Sequence, residues 1–77
     1  MTRVIDTTAI ITAWDGLHGI VQPLDGAPDA TIDDITVRAG GWSVEALSVG
    51  VPLECRILRH SNGTNRVISV FSIGVAS

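Results

Sequence analysis

Ile10-Ile11-Thr12-Ala13-Trp14-Asp15-Gly16-Leu17-His18-Gly19-Ile20-Val21 is the stretch that decides the fold. Two apolar runs flank Trp14-Asp15-Gly16, and a second glycine separates His18 from Ile20. Asp-Gly is a strong turn signal, and Thr- and Ile-rich runs on either side of it read as paired strands. Thr7–Trp14 is therefore expected as a first strand and Gly19–Leu24 as a second. Pro23 has no backbone donor, which places it at the end or edge of that strand.

Working outward, Asp25-Gly26-Ala27-Pro28-Asp29 reads as a turn and Ala30–Ile35 as a short third strand. Thr36–Gly50 has no clean period. Within it Ser43-Val44-Glu45-Ala46-Leu47 suits one helical turn, with Ser43 as a weak N-cap. In Val51–Arg59, Leu53, Cys55 and Ile57 alternate with Glu54 and Arg56, the pattern of a half-buried strand. Ser61-Asn62-Gly63-Thr64 supplies a hairpin, since Asn-Gly suits a type I′ turn, and Arg66–Ile73 is the last strand. Residues 1–6 read as a loose leader and 74–77 as a tail.

Five short strands, one long connection between the third and fourth, and no strong helix predict one all-β domain over residues 1–77. The expected form is a small five-stranded antiparallel OB-fold-like barrel, with an SH3-like barrel as competitor. Its expected core includes Ile11, Val21, Ile32, Leu47, Leu53, Cys55, Ile57 and Val70.

Composition narrows the function classes. A single cysteine excludes an intramolecular disulfide, and one Cys with two His cannot supply the usual four ligands of a structural zinc. No cofactor or metal is expected. The start of the chain lacks the apolar run of a signal peptide and no stretch is long enough to span a membrane, so the expectation is a cytoplasmic protein. Asn62-Gly63-Thr64 matches a glycosylation sequon, here read as a turn. Net charge is −3, unevenly placed: residues 1–45 carry seven acids against two arginines, residues 46–77 one acid against three. An acidic balance weakens the case for non-specific phosphate binding. Gly40-Gly41 lacks the spacing and the lysine of a phosphate loop, and no nucleophile–base–orienter set is visible. The chain is read as a binding domain, not an enzyme.

From Thr8 to Ile73 the layout resembles bacterial cold-shock domains. Ile11-Thr12-Ala13-Trp14-Asp15 falls where that family has Val-Lys-Trp-Phe-Asn, and Leu17-His18-Gly19-Ile20-Val21 falls on Gly-Phe-Gly-Phe-Ile. Asp29-Ala30-Thr31-Ile32-Asp33-Asp34 falls on Asp-Val-Phe-Val-His-Phe. The run from Leu47 through Gly50 and Leu53 to Ile57 follows the Leu-x-x-Gly-x-x-Val-x-Phe-x-Val strand, and Val67-Ile68-Ser69-Val70 follows the end strand. The resemblance implies an OB barrel that binds single-stranded RNA or DNA in a regulatory role. Carried over position by position, it also implies a changed ligand. The stacking Trp becomes Ala13, its neighbouring Lys becomes Thr12, and the motif phenylalanines become His18 and Ile20. The second motif's Phe, His and Phe become Thr31, Asp33 and Asp34, while the loop aromatic is kept as Trp42. Each lost stacking platform is worth roughly 1–3 kcal/mol.

Two functions are carried forward. One is a cold-shock-like domain with weak or altered single-stranded nucleic-acid binding. The other is a protein-interaction or self-association module on the same face, compatible with a homo-oligomer. For either, the ligand-binding face is His18, Ile20, Thr31, Asp33 and Trp42, helped by Arg38. Arg56, Arg59 and Arg66, with His60, bracket the last hairpin as an anion patch or as solvated charges that protect a sheet edge. Asp33 and Asp34, as adjacent strand residues, face opposite ways and form no acid/base pair. Trp14 is expected at the barrel's edge and Cys55 as an inert core thiol.

Overall fold

The computed structural model describes residues 2–74. Five strands, β1 (Thr2–Trp14), β2 (His18–Pro23), β3 (Ala30–Asp33), β4 (Pro52–His60) and β5 (Asn65–Ile73), close into a barrel in the order β1-β2-β3-β5-β4. β5 crosses over to lie beside β3 instead of β4 doing so. That order, with the long connection between β3 and β4, is OB-like and is not a simple meander. The barrel is mixed, which corrects the purely antiparallel expectation: β3 and β5 run parallel, meeting at Thr31 and Arg66. The remaining pairs are antiparallel.

β1 begins earlier than expected. Thr2–Asp6 are not a loose leader; they pair with β4 from Thr2–His60 to Asp6–Arg56. Thirteen residues of flat strand would span ~40 Å at about 3.3 Å per residue, yet the longest axis of the molecule is 33 Å. The strand bends at an irregularity between Ile11 and Ala13, a place where bulges sharpen twist. Its first nine residues serve β4 and its last six serve β2, so one strand closes the barrel. Gly19 permits the tight approach of β2: a Cβ there would collide with the Ala13 carbonyl oxygen and come within 2.7 Å of the Trp14 ring.

The third strand ends two residues short of its expected limit. Helix α1 (Asp34–Ala39) starts where Ile35 was expected in a strand. Asp33 caps it, its carboxylate accepting from Thr36 N at 2.8 Å. Asp34 in the first turn and Arg38 in the last match the helix dipole and approach to 3.6 Å. Six residues are too few to show a helical period, which is why pattern alone misses this helix. The expected turn at Ser43 is present as a 3-10 turn, Val44–Ala46, with Ser43 Oγ accepting from Glu45 N.

All eight expected core residues are buried, joined by Ala9, Ala30, Val37 and Val67. Pro23 ends β2 as expected, although its ring is buried opposite Ala9. The β4–β5 hairpin differs from its expected type. Only Gly63 takes positive φ, at 90°, whereas a type I′ turn needs it at both central residues. Of the expected tail, Gly74 donates to the Pro52 carbonyl, and 75–77 lie outside the described residues.

Candidate functional site

Alternation along β2 and β3 sets the candidate face. Val21, Ala30 and Ile32 point into the core, so His18, Ile20 and Thr31 point outward. The register sets His18 opposite Asp33 and Ile20 opposite Thr31. Ala13 on β1 pairs with Ile20, and Arg66 on β5 pairs with Thr31. One row therefore runs Ala13, Ile20, Thr31, Arg66 across four strands. Arg66, expected in the hairpin patch, belongs here, because parallel pairing of β3 with β5 was not foreseen.

The turn beside this face is built by Asp15. Its Oδ1 accepts from Leu17 N at 2.8 Å and from His18 N at 2.7 Å. Those backbone donors, with that of His18 the stronger, hold the Asp15 carboxyl below its ordinary value. The turn presents Leu17, 56% exposed, and the Leu17 carbonyl accepts from Asp34 N at 2.9 Å. That bond brings the turn to the start of α1, where Ile35 is 73% exposed. Leu17, Ile20 and Ile35 are thus exposed apolar residues gathered at one corner. Leu17 and Ile35 were not anticipated, since the bond that joins their segments spans seventeen residues of sequence.

Three expected members of the face serve elsewhere. Asp33 is the α1 cap; the Thr36 backbone N–H, then the Thr36 hydroxyl, lower its pKa, with smaller help from Arg66 and His18. Its carboxylate is spent on the helix. Asp34 is helical, so the opposite-faces argument from strand geometry does not apply to it. Trp42 packs against the core from the α1–β5 side. Its Nε1–H donates to the Val70 carbonyl at 3.0 Å, its backbone N–H donates to the Val37 carbonyl, and its ring lies over Gly40. These contacts tie it to β5 and α1, and its partly buried ring packs on the core cluster. Arg38 lies on the surface of α1 with Asp34.

The expected anion patch is divided. Arg56, on the outer face of β4, makes a two-point contact with Asp6 at 2.8 and 3.3 Å and sits 5.3 Å from the Phe71 ring centre. The Arg56 hydrogen bond lowers the Asp6 pKa and raises that of Arg56. Arg59 sits near the end of β4, on the other side of the strand from Arg56, opposite Arg3. Trp14 is half-buried against the core, and Cys55 is fully buried, its thiol pushed up to about 11 mainly by desolvation. Among the described residues no three His, Cys, Asp or Glu side chains are grouped to hold a metal ion. No described helix is long and apolar enough to cross a membrane.

The chain matches no protein-family model, no curated protein and no solved structure.

Chemically, the face offers an imidazole, a guanidinium, a threonine hydroxyl and exposed aliphatic surface, and among the described residues no Trp, Tyr or Phe ring on which a base could stack. Acids surround it at Asp15, Asp33 and Asp34. Such a surface is suited to an apolar centre with a polar rim, the general anatomy of a protein contact.

Proposed function

We propose that this protein is a small OB-like binding module whose β2–β3 corner docks onto another protein. The observation that carries the reading is the exposed set Leu17, Ile20 and Ile35 on a face without Trp, Tyr or Phe. Exposed apolar residues scattered singly need no explanation, but three brought to one corner by the turn and helix do. The acidic rim favours a partner surface with an apolar centre and basic surroundings, a second copy of this acidic chain being a poorer match.

A second reading is single-stranded RNA or DNA binding in the manner of a divergent cold-shock domain. Its support is the strand order, because OB barrels hold oligonucleotides over strands 2 and 3, together with Arg66 and His18 on that surface. Against it stands the loss of stacking platforms: several at roughly 1–3 kcal/mol each remove most of such affinity.

Affinity capture from cell extract with wild-type and Ile20→Asp protein, beside titration of fluorescent oligo-dT and mixed-sequence RNA at low salt, separates them. Expected are a protein retained by wild type and lost with Ile20→Asp, and no saturable oligonucleotide binding. Saturable oligonucleotide binding that fades steeply with salt would replace the first reading with the second.

A further inference from the structure

Two of the five arginines confront each other. Arg3 on β1 and Arg59 on β4 are direct cross-strand partners. With His60 and Ser61 they line a cleft of about 260 Å³ near the open end of the β1–β4 ribbon. Like charges directly opposite on a sheet are destabilising. The other arginines are answered by acids: Arg38 by Asp34, Arg56 by Asp6, and Arg66 by the field of Asp33. Among the described residues no carboxylate comes within ion-pair distance of Arg3 or Arg59, in a chain with eight acids to five arginines.

Arg59 carries the sharper signal. Its Nε and Nη2 are shielded from solvent and have no hydrogen-bond acceptor. A guanidinium has five donors and no acceptor, so only an acceptor can satisfy it, and a charged one does so best. Thr2 Oγ1 lies 3.4 Å from His60 Nδ1, which steadies that ring at the cleft's edge. Two cationic forks, an imidazole and, among the described residues, no acid in one concavity have the chemistry of an anion site.

We propose that the cleft between Arg3 and Arg59 binds an oxyanion, a phosphoryl or carboxylate group held by both guanidiniums. The anion relieves the Arg3–Arg59 repulsion and supplies the acceptors that Nε and Nη2 of Arg59 lack. Arg59 lines the cleft itself, so rotation of its terminal torsions turns the fork toward the ligand. The site is independent of the β2–β3 corner: it is formed by the first residues of β1 and the last of β4.

The test follows the arginine Nε–H resonances of the intact protein while inorganic phosphate or, separately, acetate is added at constant ionic strength. Expected is a saturable shift at Arg59 and a melting temperature that rises with the same anion. Arg59→Gln should weaken the apparent affinity about tenfold to a hundredfold, the loss of a charge-assisted hydrogen bond. Arg3→Ala alters an exposed side chain, so it tests the site even where Arg59→Gln fails to fold. Saturation by phosphate alone assigns a phosphoryl ligand, and saturation by acetate assigns a carboxylate. Linear, unsaturable shifts with both anions, or wild-type affinity in Arg3→Ala, would overturn the proposal.

Discussion

Trp42 distinguishes a barrel closure from a ligand contact, and its replacement is worth working through. Trp42→Phe keeps an aromatic ring but removes the Nε1–H that meets the Val70 carbonyl at 3.0 Å. A net hydrogen bond of this kind is worth about 0.5–1.5 kcal/mol. Trp42→Ala removes the ring as well. Full burial would make that cost ~3–5 kcal/mol; Trp42 is half-buried, so about 2–3 kcal/mol is expected. A 77-residue domain has a total of roughly 4–12 kcal/mol at ~0.05–0.15 per residue, so Trp42→Ala takes a large share. Near the midpoint, each kcal/mol corresponds to about 4–8 °C in a domain of this size. Urea unfolding followed by Trp14 fluorescence reads both variants, since Trp14 remains as reporter. The midpoint should fall in the order wild type, Phe, Ala, with an unchanged slope. Wild-type stability in Trp42→Ala, coupled with lost partner binding, would refute the closure role and return Trp42 to the ligand face.

Four further outcomes follow from the geometry. Gly19→Ala should cost more than about 2 kcal/mol in the same urea assay, because the new Cβ meets the Ala13 carbonyl, a backbone atom that cannot step aside cheaply. Asp33→Ala should cost about 1 kcal/mol as a lost helix cap, whereas Asp33→Asn, an equally good cap, should be near neutral at pH 7. The folded pKa of Asp33 lies below 3.8, so its ionisation contributes fully above that value and the contribution fades as pH falls through the lowered pKa; wild-type stability should drop there more than that of Asp33→Asn. Ile20→Asp, on a 40% exposed side chain, should leave the unfolding free energy within about 0.5 kcal/mol of wild type while abolishing capture of the protein partner. Cys55 should resist thiol reagents in the native state and react only as the protein unfolds, because it is buried and its pKa is near 11.

The barrel was legible where alternation is strict. Leu53, Cys55 and Ile57 declared the inner face of β4, and Asp15-Gly16 and Asn62-Gly63 declared two hairpins. Legibility failed where pairing partners lie far apart in sequence. Thr2–Asp6 looks loose because its apolar content is slight; its partners sit some fifty residues on, in β4. The parallel contact between Thr31 and Arg66 has no local signature, so Arg66 could not be assigned to the candidate face. α1 was hidden by its brevity, although Asp33 followed by Asp34 is an N-cap signal in its own right. His18, Ile20 and Thr31 were placed together by the cold-shock resemblance, and strand alternation in the structure turns all three outward. Leu17 and Ile35 required the bond from Asp34 N to the Leu17 carbonyl. Arg3 was missed as a partner of Arg59 for the same reason that its strand was.

Backbone amide shifts of the isotopically labelled domain, followed as single-stranded oligo-dT is added at low salt, test the choice of ligand most directly. A protein-docking face predicts no saturable change at His18, Ile20, Thr31 or Arg66. Saturable shifts confined to those residues, and reversed by added salt, would contradict it and make this surface a nucleic-acid site.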